Sequence, residues 1–291
     1  MWSLLKIELF KVFKRPRTYI AFIAVLAIVV LIQVAIYADG AKYMDFVLKD
    51  VKDNFDVIGN PLNGYFVCFV ILQTLLIHVP LLVALVSADM IAGEANMGTL
   101  RLLITKPVSR TKLLLSKFFA SAIYAVILLI WIAILGLFVS MLIFGTDGLM
   151  NAKSYEIIIL NGDDIFWRYL LAFGFAAIAL ITVSSVGFFF SIFAENSLGP
   201  IVATMSVIIV FTILTTLDIP LFQSVKDYFF TSHMIAWKGF FEMKLNADGE
   251  SIPGTIRNLP AVLRSAGVLL LHIVLLVGAS IFIFKRKDVL S

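Results

Sequence analysis

Charge is what this sequence has least of. Only 14% of its 291 residues are Asp, Glu, Lys or Arg, 61% are hydrophobic, and the mean hydropathy is +1.03. Soluble domains use about 25% charged and about 45–50% apolar residues, so water is excluded as the main solvent. Cysteine occurs once, at Cys68, which excludes an intrachain disulfide and leaves a small hydrophobe packed in an apolar run. Histidine occurs three times, as His78, His233 and His272, with no H-E-x-x-H and no C-x-x-C spacing. Neither a metal-ligand set nor a hydrolytic triad is legible. No Gly-Lys dipeptide occurs, so the phosphate-cradling G-x-x-x-x-G-K-[ST] loop is missing. The chain is expected to be no enzyme and to hold no metal or cofactor. If ATP drives it, another chain must bind the ATP.

What is abundant is long apolar runs. Six of them contain no Asp, Glu, Lys or Arg: residues 18–38, 65–88, 118–144, 169–194, 198–217 and 265–284. A hydrocarbon core of about 30 Å needs roughly 20 apolar residues in a helix, and lipid tolerates no exposed backbone polar groups. The expectation is an all-α, six-span integral membrane protein, a single domain over residues 1–291. The first run exceeds the 7–15 residues of a secretory h-region and reads as a signal anchor.

Lysine and arginine orient the spans, since short cytoplasmic loops carry their excess. Lys6, Lys11, Lys14, Arg15 and Arg17 precede the first run; Arg101, Lys106, Arg110, Lys112 and Lys117 lie between the second and third; Lys285, Arg286 and Lys287 follow the sixth. Only Glu8, Asp89, Glu94, Glu195 and Asp288 are acidic on that side. The opposite side holds Asp39, Asp45, Asp50, Asp53, Asp56, Asp147, Glu156, Asp163 and Asp164. Both termini are therefore expected in the cytoplasm. The basic residues flank spans, as topology determinants and contacts to anionic membrane lipid do, and no clustered basic face points to nucleic acid.

Intramembrane carboxylates, the usual relays of ion-driven carriers, are missing from the runs. His78 and His272 each sit alone and read as neutral packing residues. Asp163 and Asp164, ahead of Trp167 and Arg168, read as a helix start beside an interfacial anchor. The aromatic stretch 225–245 within the outer segment 218–264 has two readings: short re-entrant helices, or a belt of interfacial rings at Phe229, Phe230, Trp237, Phe240 and Phe241.

The polar island between the second and third runs is the most patterned part of the chain. At helical spacing Met97, Leu100, Leu103 and Ile104 share a face while Arg101 and Thr105 point elsewhere. Pro107 ends the segment, Ser109 is placed to cap a new helix, and Gly93 and Gly98 permit sharp turns. A helix lying on lipid and a helix docking a partner both fit this pattern.

The stretch "EANMGTLRLLITKPVSRTKLLLSK" from Glu94 to Lys117 resembles the permease subunits of ABC transporters of the second export-type family, also called type V exporter permeases. The opening "LLKIELFKVFKRPRTYI" is similar to that family's amphipathic elbow helix, here residues 1–17. The turn "FAENSLGP" resembles its second cytoplasmic contact, and the ending "FIFKRKDVLS" its C-terminus. The resemblance implies a cytoplasmic coupling segment at 92–112. Glu94, Gly98, Thr99, Leu100, Arg101, Leu103, Ile104, Pro107 and Arg110 would supply its docking contacts and turn geometry, with Glu195 and Asn196 as the second contact. It implies ABC ATPase partner subunits that bind ATP and Mg²⁺, and a homodimer or heterodimer with a second permease. The setting would be the cytoplasmic (inner) membrane of a prokaryote. An ATP-independent carrier or channel and a non-transporting scaffold or assembly protein are the rival expectations.

Overall fold

A computed structural model describes residues 1–47, 62–105, 107–146, 148–153, 156–160, 162–217, 220–246 and 251–287, a few of them by backbone alone. Six helices are long and apolar enough to cross a membrane: Pro16–Gly40, Gly64–Asn96, Arg110–Phe144, Gly162–Ser191, Leu198–Thr216 and Leu259–Arg286. Each overlies one of the uncharged runs, and the protein is an all-helical, multi-pass membrane bundle. Two small hairpins outside the spans are additions to that expectation.

The chain opens with α1 (Trp2–Lys14) and breaks at an extended Arg15 before α2 (Pro16–Val47). Pro16 causes the break, because proline disfavours the helical conformation of the residue before it. Thr18 Oγ1 bridges the gap by donating to the carbonyl of Val12. The second span is α3 (Gly64–Ser87), whose N-cap Asn63 accepts from Phe66 N at 3.0 Å, and it continues after Ala88 as α4 (Asp89–Asn96). Gly98, at φ +69°, turns the chain into α5 (Thr99–Ile104). Ser109 caps α6 (Arg110–Ala133), accepting from Lys112 N at 3.3 Å. A π turn at Ile134–Val139 and α7 (Ser140–Phe144) complete the third span.

An antiparallel hairpin of β1 (Leu149–Lys153) and β2 (Glu156–Leu160) leads into α8 (Gly162–Ser191), the fourth span. The fifth is α9 (Leu198–Thr216). The outer segment follows as α10 (Pro220–Lys226), α11 (Phe230–Met234), a 3-10 turn at Ile235–Phe241, and a hairpin of β3 (Lys244–Leu245) with β4 (Ser251–Ile252). The sixth span, α12 (Leu259–Arg286), starts on a proline in its first turn, where a missing N–H removes no helical bond. In the most apolar window of α8, 61% of residues are buried, against 17% in those of α9 and α12. The fourth span is thus the axis, and the last two turn most of their apolar surface outward, as lipid-facing helices do.

Two devices let helices this apolar pack closely. At the π turn of the third span the buried amide of Gln33 donates to the carbonyl of Leu135 at 2.9 Å and to the hydroxyl of Ser140 at 3.0 Å. Gly64 lets the second and third spans touch backbone to backbone: a Cβ there would lie 2.5 Å from Met141 Cα and 2.6 Å from Met141 N. Backbone cannot rotate away as a side chain can. Gly64→Ala is expected to destabilise the protein by about 1–3 kcal/mol, the usual range for overpacking. A lowered thermal midpoint in mild detergent checks this, and an unchanged midpoint contradicts the close approach.

At the far end, opposite α1, the outer segment folds back onto the bundle. Trp237 and Phe241 are buried against Phe69 of the second span, with ring centroids at 5.2 and 5.4 Å, and Phe241 meets Tyr169 at 4.8 Å. This corrects the belt reading for Phe230, Trp237, Phe240 and Phe241, which are all buried. Rings facing lipid headgroups and rings facing a protein core have the same composition, and only the packing separates them. Asp164 is likewise more than a helix start. Its carboxylate accepts from Arg168 Nη2 at 2.6 Å, Trp167 Nε1 at 2.8 Å and Gly254 N at 3.2 Å. Arg168, fully buried, also donates to Phe240 O at 2.5 Å and Thr255 O at 2.8 Å. The pair clamps the outer segment to the fourth span.

Candidate functional site: the basic end of the bundle

α1, α4, α5, the start of α6 and the end of α12 meet at one end of the bundle. Lys11 of α1 lies 2.9 Å from Glu8 Oε1 and 2.7 Å from Glu94 Oε1; Lys117 of α6 lies 2.7 Å from Glu8 Oε2 and 2.7 Å from Glu94 Oε2. Two cations and two anions alternate in a closed, neutral ring that ties the opening helix to the second and third spans. Lys117 is 1% exposed and both carboxylates are nearly as buried, so each charge depends on its partners. Burial disfavours the Lys11 ammonium, yet Glu94 and Glu8 outweigh that effect and hold it above the ordinary lysine value. A second knot joins Arg15 and Arg17 to the buried Asp89. A side chain at Gly93 would run into the Asp89 carboxylate, so this glycine makes room for an ion pair.

The expected docking residues divide. Glu94, expected as a contact for a partner, is an internal brace, because two lysines within 2.7 Å use its carboxylate. Arg110 also points inward: its Nη1 donates to the carbonyls of Phe284, Lys285 and Lys287 at 3.4, 3.2 and 2.9 Å, capping the sixth span. Leu100 is 5% exposed and packs into the core, while Leu102 at 67% and Met97 at 56% face outward. The apolar face available to a partner is thus carried by Met97 and Leu102, with a half-buried Leu103, and not by Leu100. Gly98 makes the sharp turn, Thr99 Oγ1 donates to Glu94 O at 3.2 Å, and Pro107 is exposed beyond the helix end. Arg101 and Ile104 lie in α5 by backbone, and their side chains are outside the described residues, as is Lys106. Glu195 and Asn196 are exposed at the same end, in the turn before α9, where Asn196 Oδ1 accepts from Gly199 N at 3.2 Å.

An open groove of about 490 Å³ runs between α1 and α5, lined by Phe10, Lys14, Met97, Leu102 and Leu103 among others. Two members of the ion ring, Lys11 and Glu94, also line it. In the sequence Glu8, Asp89 and Glu94 stand as acids in a basic flank, with no role legible for Glu8 and Asp89. An acid among so many cations was the available signal. Elsewhere His78 Nδ1 and His272 Nδ1 lie 2.7 and 2.8 Å from the carbonyls of Thr74 and Val268, four residues earlier in their own helices, while His233 lies 3.1 Å from Ser265 Oγ and 2.9 Å from Asp227 O. Among the described residues, no group of three or more His, Cys, Asp or Glu could hold a metal ion.

The six apolar helices and the ion-braced end together define a multi-pass helical membrane protein. The family described as a protein of unknown function, DUF2705, matches residues 21–290, and the chain belongs to that family. It is also similar to the uncharacterized protein YhcI of Bacillus subtilis (strain 168), at 25% identity over 117 residues, covering 39% of this chain and 37% of that protein. The aligned stretch thus spans little more than a third of the relative's length.

Proposed function

We propose that this chain is the membrane-spanning permease subunit of an ATP-driven ABC transporter, working as an exporter with separate ATPase subunits docked at the basic end. The observation that carries the reading is α5. This short helix is set off from α4 by the left-handed Gly98 and shows Leu102 to the outside, beside the exposed Met97 at the end of α4. Behind it, the ion ring joins its root to the second and third spans. A partner pushing on such a helix moves spans, because the junction has no slack; this is rigid-body coupling of the kind ATP-driven closure requires.

On this reading the lysine and arginine bias puts both termini in the cytoplasm, in the inner membrane of a prokaryote. A second permease, identical or related, completes the pathway, and ATP and Mg²⁺ belong to the ATPase. His78 and His272 bond to their own helices, which argues against a proton relay and so against an ion-driven carrier.

The test is co-purification from native membrane in mild detergent with an assay of ATP hydrolysis. A nucleotide-binding chain should accompany the wild type. Met97→Ser with Leu102→Ser should lose it without lowering the thermal midpoint, because both side chains are exposed. Recovery of this chain alone, without ATPase activity, defeats the proposal.

A further inference from the structure

A second groove at the basic end, of about 450 Å³, lies between the ends of the fourth and sixth spans. Its lining is Ile192, Phe193, Phe282, Ile283, Arg286 and Lys287. We propose that it binds one anionic phospholipid, with an acyl chain against Phe193, Phe282 and Ile283 and the phosphate on Arg286.

The argument rests on charge and on depth. Helix C-termini carry about half a negative charge and repel anions, and two helices end here. Both ends are already answered by cations. Arg110 meets the carbonyls of Phe284, Lys285 and Lys287, and Lys287 Nζ donates to Ile192 O at 2.7 Å. Arg286 is therefore surplus. Its guanidinium is exposed, lies 4.1 Å from the Phe282 ring centroid, and makes no hydrogen bond or ion pair to another described residue. Among the described residues no carboxylate lines the groove; Glu195, two residues beyond Phe193, stands outside the lining. The groove between α1 and α5 is different, because the Glu94 carboxylate lines it and Lys11 and Arg15 there already face Glu94, Glu8 and Asp89, leaving Lys14 over the Phe10 ring beside a buried anion.

Depth favours lipid over a soluble anion. The walls are apolar residues at and just beyond the ends of two membrane-crossing helices, with Phe193 and Phe282 both more than half exposed. Basic pockets between spans near a membrane surface suit anionic headgroups. The inference stands independently of the transport reading.

The experiment is native mass spectrometry of the full chain, delipidated and then titrated with phosphatidylglycerol or with phosphatidylcholine. Wild type should retain one phosphatidylglycerol in preference to phosphatidylcholine. Arg286→Ala should weaken that binding about fivefold, as the loss of one basic side chain near an anionic surface does. Arg286→Glu should weaken it further, and Ile283→Trp, which fills the groove and keeps every charge, should also weaken it. Lys6→Glu changes the charge of the same end away from the groove and should leave binding unchanged. Equal retention of both lipids overturns the proposal. So does weakening by Arg286→Glu and Lys6→Glu alike, or undiminished binding in Ile283→Trp.

Discussion

Glu94→Ala is expected to destabilise the bundle by about 3–5 kcal/mol, because it leaves a buried ammonium short of its counter-ion. Lys117, 1% exposed, would keep only Glu8, and the ring would hold one surplus positive charge out of water. Lys117→Met should be comparably harmful for the opposite reason, leaving Glu8 and Glu94 to share Lys11. The informative variant is the pair. Glu94→Leu with Lys117→Met restores neutrality, keeps the 2.9 Å pair of Lys11 and Glu8, and fills the space with hydrocarbon. Its loss should be smaller than the summed losses of Glu94→Leu and Lys117→Met made singly by at least about 2 kcal/mol, within the range of coupled neighbours. Chemical unfolding in mild detergent measures this cycle, and simple additivity would show that the ring is not one unit. Glu94→Ala is consequently a poor probe of docking; the exposed Met97 and Leu102 are better ones.

Arg168→Leu should have an effect of similar size at the opposite end, again about 3–5 kcal/mol for a broken buried pair. The guanidinium satisfies Phe240 O and Thr255 O and balances Asp164, so its removal leaves Asp164 without its counter-ion and two carbonyls without their donors. The damage should be local. Hydrogen exchange should rise across residues 230–255 while the centres of the second and fourth spans stay protected, since the core residues Ile71, Leu72, Ala176 and Ala179 do not depend on the clamp. Uniform loss of protection along the chain would mean that the outer segment and the bundle unfold together.

The sequence disclosed what is local or summed over length. Six spans were legible because each is a long uncharged run, and the caps and turns at Ser109, Pro107 and Gly98 because their chemistry acts on adjacent backbone. The ion ring was not legible. Its members are 83 and 109 residues apart, and a charge next to a loop reads as solvated until its partners are placed. The outward face of α5 was misread for a related reason: Leu100 and Leu102 are the same residue type, and only the position of the neighbouring helices decides which one is covered. The π turn left no mark beyond an ordinary apolar run, since its satisfying group, Gln33, belongs to another span.

The ring also imposes an order on how the chain comes to be built. Synthesis delivers Glu8 and Lys11 first, three residues apart and able to pair with each other at once. When the second span emerges it brings Glu94, and the unfinished cluster then carries one uncompensated negative charge. Lys117, at the root of the third span, is the last member to appear and the one that makes the set neutral. The opening helix can therefore settle into its final seat only after the third span has begun to insert. A nascent chain halted before residue 117 should leave that helix accessible to protease, and one released just beyond the third span should not.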